Sequence, residues 1–133
     1  MKIYTSYFAK GKTLRAQGIK IISIALYPPP HTKFDSLLCL APTHSILYDK
    51  YRTDERYTHR YINEVLGKID ANNIIEQISS IARGSDVALC CYEKPNEFCH
   101  RHLVAKWIQE HTGMEVEEFG SSRNKEVIQT ELF

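Results

Sequence analysis

The residues best suited to chemistry lie close together in the second half of the chain. Cys91 and Glu93 follow an apolar run, and Cys99, His100 and Arg101 come shortly after them. A thiol in the first turn of a helix, with an imidazole and a guanidinium beside it, has a lowered pKa and becomes a better nucleophile near neutral pH. The same helix amides, together with Arg101, can hold a phosphate or a carboxylate. The pattern therefore predicts an anion-binding site with a reactive thiol.

The residues alone leave three interpretations of this cluster open. In the first, the site is catalytic, with a cysteine as nucleophile, a histidine as proton carrier and a glutamate that orients the histidine or acts as a base. The candidate catalytic residues are Cys91, Cys99, His100 and Glu93. The candidate ligand-binding residues beside them are Arg101, His102 and Tyr7.

In the second interpretation the cluster holds a metal, because thiolate and imidazole are the ligands that zinc prefers. The metal ligands would be Cys91, Cys99 and either His100 or His102. This spacing differs from a zinc-finger pattern and shows no fourth ligand, so we predict no cofactor and keep zinc as the alternative. In the third interpretation the cysteines are core residues, and the histidine and arginine are surface or capping residues.

The elements that position the cluster follow from hydrophobic periodicity. Four apolar segments predict strands, at residues 3–8, 19–26, 87–92 and 115–119. Helices are predicted from an Asp54 cap to about Leu66, from an Asp70 cap to Gly84, and after an Asn96 cap. Residues 31–54 show no clean period, which predicts a loop with short helical pieces packed through Phe34, Leu37, Leu38 and Leu40.

These elements make specific predictions about the side chains of the cluster. Neighbouring residues of a strand point to opposite faces, so Cys90 and Cys91 cannot serve one site. Cys99 and His100 continue the apolar stripe of the last helix and are expected to face the carboxyl edge of the sheet, whereas Arg101 and His102 turn toward the rim. Cys39 stands in an apolar run and is predicted to be a core residue.

Strands that alternate with helices, and that are apolar throughout, favour a parallel sheet covered on both faces. We therefore predict a single three-layer α/β domain over residues 1–133, with a mostly parallel sheet, helices on both faces and a Rossmann-like arrangement. Residues from about 120 to 133 form a polar tail.

Composition excludes several classes of protein. The apolar fraction of 43% and the charged fraction of 25% are those of an ordinary globular domain. A net charge of +1 argues against a protein that coats nucleic acid or membranes through bulk charge. No apolar run is long enough to cross a bilayer, and the first residues lack the features of a signal peptide. We therefore predict a cytoplasmic protein with no membrane partner, in which the cysteines are thiols.

A second, weaker signal comes from basic residues mixed with tyrosines. Arg52, Arg56 and Arg60 recur every four residues, and the tyrosines at positions 48, 51, 57 and 61 interleave with them. Basic and aromatic residues together are typical of single-stranded nucleic-acid contact, although nearby acidic residues dilute the patch. A nucleic-acid partner at these arginines is therefore an alternative to a solvated helix face.

The run that ends in Cys91 and Glu93, followed by Cys99, His100 and Arg101 at a helix start, resembles the hallmark of a prokaryotic family named domain of unknown function 488. The resemblance spans most of the chain and implies a compact α/β fold in which these five residues are the motif. Many members have Asp-x-Arg after the second strand, where this chain has residues 25–27, Ala-Leu-Tyr. The family does not imply an activity.

Together these observations predict a cytosolic α/β protein that binds an anionic small ligand, phosphate- or nucleotide-like, beside a possible thiolate nucleophile. A thiol-dependent enzyme is one outcome. The alternatives are a non-catalytic module that binds nucleic acid or protein, and a zinc site formed by cysteine and histidine.

Overall fold

The computed structural model describes residues 1–120. The strands are β1 (Ile3–Tyr7), β2 (Lys20–Ser23), β3 (Asp35–Ser36), β4 (Val87–Cys91) and β5 (Val116–Glu118). The helices are α1 (Gly11–Ala16), α2 (His44–Leu47), α3 (Asp54–Glu64), α4 (Ala71–Ala82) and α5 (His100–Thr112). Short 3-10 turns cover Phe8–Lys10, Leu38–Leu40 and Leu66–Lys68. The predicted polar tail lies outside the described residues beyond Gly120.

The five strands form one sheet in the order β3-β2-β4-β1-β5, and every neighbouring pair is parallel. This confirms the predicted α/β class. In the register of the sheet, Cys91 lies opposite Tyr7 and Cys90 lies opposite both Ser6 and Ser23. The carboxyl ends of β1, β2 and β4 therefore meet at one edge, where parallel α/β sheets bind their ligands.

Helices cover both faces of the sheet, as predicted. Residues of α3, α4 and α5 pack against one face through a core that includes Tyr61, Ile78 and Ile108. On the other face, Leu14 of α1 packs with Ile21 and other strand residues. The crossover from β1 to β2 and the crossover from β4 to β5 run in opposite directions along the sheet. Right-handed crossovers then place α1 and α5 on opposite faces.

Strand β4 is the centre of the fold, and all five of its residues are buried. Its side chains alternate between the two layers: Leu89 packs in the core under α5, whereas Cys90 packs with Leu14 on the α1 side. Cys91 therefore points to the opposite layer from Cys90. The prediction that these two cysteines serve different places is confirmed.

Helix starts were predicted with mixed success. Asp70 caps α4 as expected, with its Oδ2 accepting a hydrogen bond from the Asn73 backbone at 3.0 Å. Helix α3 is capped by Thr53, whose Oγ1 accepts from the Arg56 backbone at 3.0 Å, so the prediction of Asp54 as the cap was wrong by one position. The side chains of Thr53 and Asp54 can both cap a helix, but Thr53 has the extended backbone that is typical of an N-cap residue.

The second strand is shorter than predicted. It ends at Ser23, because the Ser23 side chain accepts a hydrogen bond from the Ala25 backbone at 3.3 Å and turns the chain away from the sheet. The following residues then form a wall of the cavity described below. Strand β3 was not predicted, since two polar residues carry no strand pattern.

The prediction that Cys39 is a core residue was wrong. In the 3-10 turn Leu38–Leu40, Leu40 is fully buried whereas Leu38 is 60% exposed and Cys39 is also exposed. A tight turn of three residues can point only part of its apolar side chains inward. The predicted packing through Leu38 was wrong for the same reason.

Across residues 1–120 we find no helix that combines the length and the apolar character needed to cross a membrane.

Candidate functional site

The site forms where β4 ends and α5 begins. The chain leaves β4 after Cys91, makes a turn closed by a hydrogen bond from the Glu97 backbone to the Lys94 carbonyl at 3.0 Å, and enters α5 at His100. Cys99 is the N-cap residue, with φ −153° and ψ 143°. The prediction that Asn96 caps this helix was therefore wrong, because the turn uses the residues around it. Cys99 lies at the helix N-terminus but outside its first turn.

Cys91 and Cys99 are joined by a disulfide. The structure thus brings together the two sulfurs that the sequence placed at one edge, but it corrects the expectation that both are thiols. Both cysteines are buried, with exposed fractions of 1% and 3%. The other two cysteines are free: Cys90 is buried in the opposite layer, and Cys39 is exposed. A nucleophilic thiolate can exist here only after the disulfide is reduced.

Arg101 is fully buried, which overturns the prediction that it turns toward the rim. Its Nε and Nη2 donate to the two carboxylate oxygens of Glu118 at 3.0 and 3.2 Å. Its Nη1 donates to the Glu93 carbonyl at 2.6 Å and lies 2.9 Å from Cys91 Sγ. The guanidinium can be buried because the Glu118 carboxylate compensates its charge.

The partner of Arg101 was missed by the sequence analysis. Glu118 ends β5 and also accepts a hydrogen bond from the Thr5 hydroxyl at 2.8 Å, which ties it to β1. The Tyr7 ring lies 5.8 Å from the Arg101 guanidinium carbon. The only signal in the sequence was that Glu117 and Glu118 are adjacent in the predicted strand 115–119, so that one of the two had to face inward.

His100 is buried, and a hydrogen bond to a backbone carbonyl holds its ring. Its Nε2 donates to the Ile24 carbonyl at 2.7 Å, so its Nδ1 is unprotonated and lies 3.8 Å from Cys99 Sγ. Burial, with a smaller contribution from the charge of Arg101, lowers the pKa of His100 to about 4. The ring is therefore neutral at neutral pH, and its fixed hydrogen bond makes it a positioning group for Cys99.

A cavity of about 330 Å³ opens over the disulfide. Of the predicted site residues, those on its wall are Cys91, Glu93, Cys99 and His100. The structure does not bring the other three to this wall: Arg101 lies beneath it, Tyr7 packs against Arg101, and His102 is half-buried in the first turn of α5. His102 Nε2 is buried without a hydrogen-bond partner among the described residues.

Five tyrosine and phenylalanine rings line the cavity, a feature that sequence reasoning did not assign to the site. Its rings are Tyr27, Tyr48, Tyr57, Tyr92 and Phe98. Arg52 also lines the cavity; its guanidinium lies 5.0 Å from the centre of the Tyr57 ring, and its Nη1 donates to the Leu47 carbonyl at 2.9 Å. The charged side chains on the wall are thus Arg52 and Glu93.

The three regularly spaced arginines do not form a continuous basic row. Arg56 is paired with Asp49, and Arg60 pairs with Glu64 at 2.7 Å and with Asp49 at 3.4 Å. Arg52 alone of the three lines the cavity. The structure therefore separates Arg52, which lines the cavity, from Arg56 and Arg60, which form ion pairs.

The side chains that could hold a metal are those of Cys91, Cys99 and His100, whose candidate ligand atoms lie within 4.8 Å of one another. Zinc binds cysteine as thiolate, so the disulfide form cannot offer these sulfurs as ligands. Any metal binding at this cluster belongs to the reduced form.

We predict that Glu118→Gln lowers the free energy of unfolding by about 2 kcal/mol or more, because it leaves the buried Arg101 guanidinium without a compensating charge. Urea unfolding of the oxidised protein measures the change. The control is Glu110→Gln, which removes the partner of Lys106 in an exposed pair and should cost no more than about 0.5 kcal/mol. Equal losses in the two variants would contradict the role assigned to Glu118.

We also predict a pH-dependent contribution from His100. Its folded-state pKa of about 4 lies below the ordinary value of 6.5, so between these values the unfolded chain binds more protons. The contribution is complete above pH 6.5 and falls as the pH drops toward about 4, by about 3 kcal/mol in total. Unfolding measured across this window should show a shallower slope for His100→Gln. The exposed His59→Gln should keep the wild-type slope.

Comparison with known proteins agrees with the resemblance noted in the sequence. A family model described as DUF488-N3a, the active DUF488-N3 subclade, matches residues 11–112. The matched span contains Cys91, Glu93, Cys99, His100 and Arg101. No curated protein and no solved structure matches the chain. Because the family match covers more than half of the 133 residues, the chain belongs to the DUF488 family, in its DUF488-N3a subclade.

Proposed function

We propose that the protein binds a small anionic ligand with a planar ring, such as a nucleotide, in the cavity over Cys91 and Cys99, and that a sulfur of this pair acts on the ligand when reduced. The observation that carries the proposal is the cavity itself. It places both sulfurs, an arginine and a set of aromatic rings around one space of about 330 Å³. Ligand cavities are commonly of this size and character.

The aromatic side chains support a ligand with a ring. Tyr57 is buried, whereas Tyr27, Tyr48 and Tyr92 are more than half exposed and stand at the mouth. The faces of aromatic rings stack on flat heterocycles without selecting one base. These walls thus suit a planar group better than a flexible chain.

Arg52 supports a negative charge on the ligand. A guanidinium has several N–H donors, and the Leu47 carbonyl accepts from only one of its nitrogens, Nη1. The contact with the Tyr57 ring holds the Arg52 group against the cavity wall. A phosphate or carboxylate at this position gains charge-assisted hydrogen bonds.

The surroundings of the sulfurs support Cys91 as the reactive one. The Arg101 Nη1 contact at 2.9 Å stabilises a negative charge on Cys91 Sγ once the disulfide is reduced. Glu93 lines the same cavity, which supports a role for it as the base or the orienting group. The description of the family model as an active subclade also favours chemistry over binding alone.

The alternative of a nucleic-acid-binding module has less support. That function would draw on Arg52, Arg56 and Arg60 together, and the ion pairs of Arg56 and Arg60 leave Arg52 as the one placed for a ligand. The two proposals differ in which arginines matter.

We predict that Arg52→Ala weakens the binding of adenosine monophosphate about tenfold, since a charge-assisted contact contributes about 1.4 kcal/mol or more. Isothermal titration calorimetry measures the affinity. The matched control is Arg56→Ala, which removes the same group from the next turn and should leave the affinity unchanged. Absence of binding to the wild type, or equal loss in both variants, would rule out this recognition mode.

We predict that iodoacetamide alkylates Cys91 of the reduced protein well below pH 8, because the neighbouring guanidinium stabilises its thiolate. Two internal references lie in the same chain. Burial raises the pKa of Cys90 to about 12, so Cys90 should stay unmodified, and burial also raises the pKa of Cys39 above its ordinary value. Peptide mass spectrometry across pH gives each rate. If the alkylation rates of Cys91 and Cys39 show the same pH dependence, Cys91 is not an activated thiol.

A further inference from the structure

We propose that Cys91 and Cys99 form a dithiol–disulfide couple that reduces a small anionic disulfide in the cavity, with Cys91 as the attacking sulfur and Cys99 as the resolving sulfur. This inference rests on the proposed function for the position of the ligand. It adds the reaction class and gives each sulfur a separate role.

The first support is the pairing itself. Among the four cysteines, the two that are bonded to each other are the two that line the cavity. Cys90, although next to Cys91 in sequence, is buried on the other face of β4. Cys39 is exposed and lies in a separate depression beside Lys68 and Asp70. The bond between these two cysteines therefore borders the same space that would hold a ligand.

The second support is the asymmetry between the two sulfurs. Cys91 Sγ lies 2.9 Å from Arg101 Nη1, and Glu118 holds this guanidinium through two further hydrogen bonds. Cys99 Sγ instead lies 3.8 Å from the unprotonated Nδ1 of His100, which can accept a hydrogen bond from a Cys99 thiol. After reduction, Cys91 is thus the sulfur stabilised as thiolate, and Cys99 is the sulfur that keeps its proton until it attacks.

The reaction is a thiol–disulfide exchange in two steps. The Cys91 thiolate attacks one sulfur of the ligand disulfide; a bond forms between the two sulfurs, the ligand S–S bond breaks, and one ligand thiolate leaves with the bonding electron pair. Cys99 loses its proton and attacks Cys91 Sγ, which forms the Cys91–Cys99 bond and releases the second ligand thiolate. The protons given up by the cysteine thiols equal those that the released thiolates take up. A dithiol reductant from solution returns the couple to its starting state.

The test uses dithiobis(nitrobenzoate), an aromatic anionic disulfide whose released thiolate is coloured, on the reduced full chain. Cys39→Ser is the background, because the exposed Cys39 would otherwise react. This protein should release about two equivalents of thiolate per chain and end with the internal disulfide. With Cys99→Ser added, it should release about one equivalent and retain a nitrobenzoate adduct on Cys91. With Cys91→Ser added, release should fall at least about tenfold in rate.

Two comparisons keep the proposal open to refutation. Cys90→Ser in the same background should behave as the background protein does, because its sulfur faces the other layer. If Cys99→Ser forms no stable adduct on Cys91, or if the adduct forms on Cys99 in Cys91→Ser at the same rate, the assigned roles are wrong. Circular dichroism of each variant confirms that it is folded before its rate is compared.

A further pair of probes separates this inference from the proposed function. Dithiodipyridine is an aromatic disulfide without negative charge, and Arg52→Ala should slow the reaction with dithiobis(nitrobenzoate) about tenfold more than the reaction with dithiodipyridine. A chain that binds adenosine monophosphate through Arg52 but does not form the internal disulfide refutes the exchange reaction alone. A chain that exchanges equally well with both probes, whether or not Arg52 is present, refutes the anionic ligand alone.

Discussion

The burial of one positive charge, that of Arg101, organises this site. A guanidinium without solvent must have a compensating anion and hydrogen-bond acceptors for its N–H groups. Glu118 supplies the anion from β5, and the Glu93 carbonyl supplies an acceptor after β4. Because Thr5 of β1 holds the same carboxylate, the guanidinium joins three neighbouring strands at their carboxyl ends. The place of Cys91 Sγ in the fold follows from that arrangement.

Because Arg101 is buried, the arginine that contacts the sulfur differs from the arginine that lines the cavity. Arg101 is committed to the fold and to one sulfur, so it is not placed to hold an anion in the cavity. Arg52 lies outside the sheet edge, between α2 and α3, and carries the positive charge that faces the cavity. The motif arginine thus contacts the sulfur, while an arginine outside the motif faces the cavity. His100 shows the same division, since its hydrogen bond to Ile24 fixes the ring instead of leaving it to carry protons.

The sequence was informative where local chemistry and periodicity decide the structure. The apolar run of β4 predicted a covered strand, and alternation along that strand separated Cys90 from Cys91 correctly. The convergence of Cys91, Cys99 and His100 also followed, because a strand end and a helix start adjoin in a parallel α/β sheet. The predictions failed where the position of a side chain depends on a partner that is distant in the sequence. Arg101 on an isolated helix would turn toward water, and only the later strand that carries Glu118 makes its burial affordable in free energy.

The residues that line the cavity could not be predicted from the sequence, for a related reason. Residues 25 and 26 were expected to continue a strand, but the chain turns after Ser23, and these residues line the cavity together with Tyr27. Tyr57 and Arg52 were recognised as an aromatic and basic pair, yet nothing local tells that they face the sulfurs and not solvent. Such convergence depends on the packing of α3 against α5, which sequence spacing does not encode.

The segment between the two bonded cysteines, residues 92–98, is a short ring closed by a covalent link. It carries Tyr92, Glu93 and Phe98, and the Tyr92 hydroxyl reaches across the entrance to the Tyr27 carbonyl at 2.6 Å. Reduction of the disulfide increases the conformational entropy of this segment, whereas the hydrogen bond of Tyr92 does not depend on the disulfide. The oxidation state of Cys91 and Cys99 therefore affects the conformational freedom of the segment that forms part of the cavity wall.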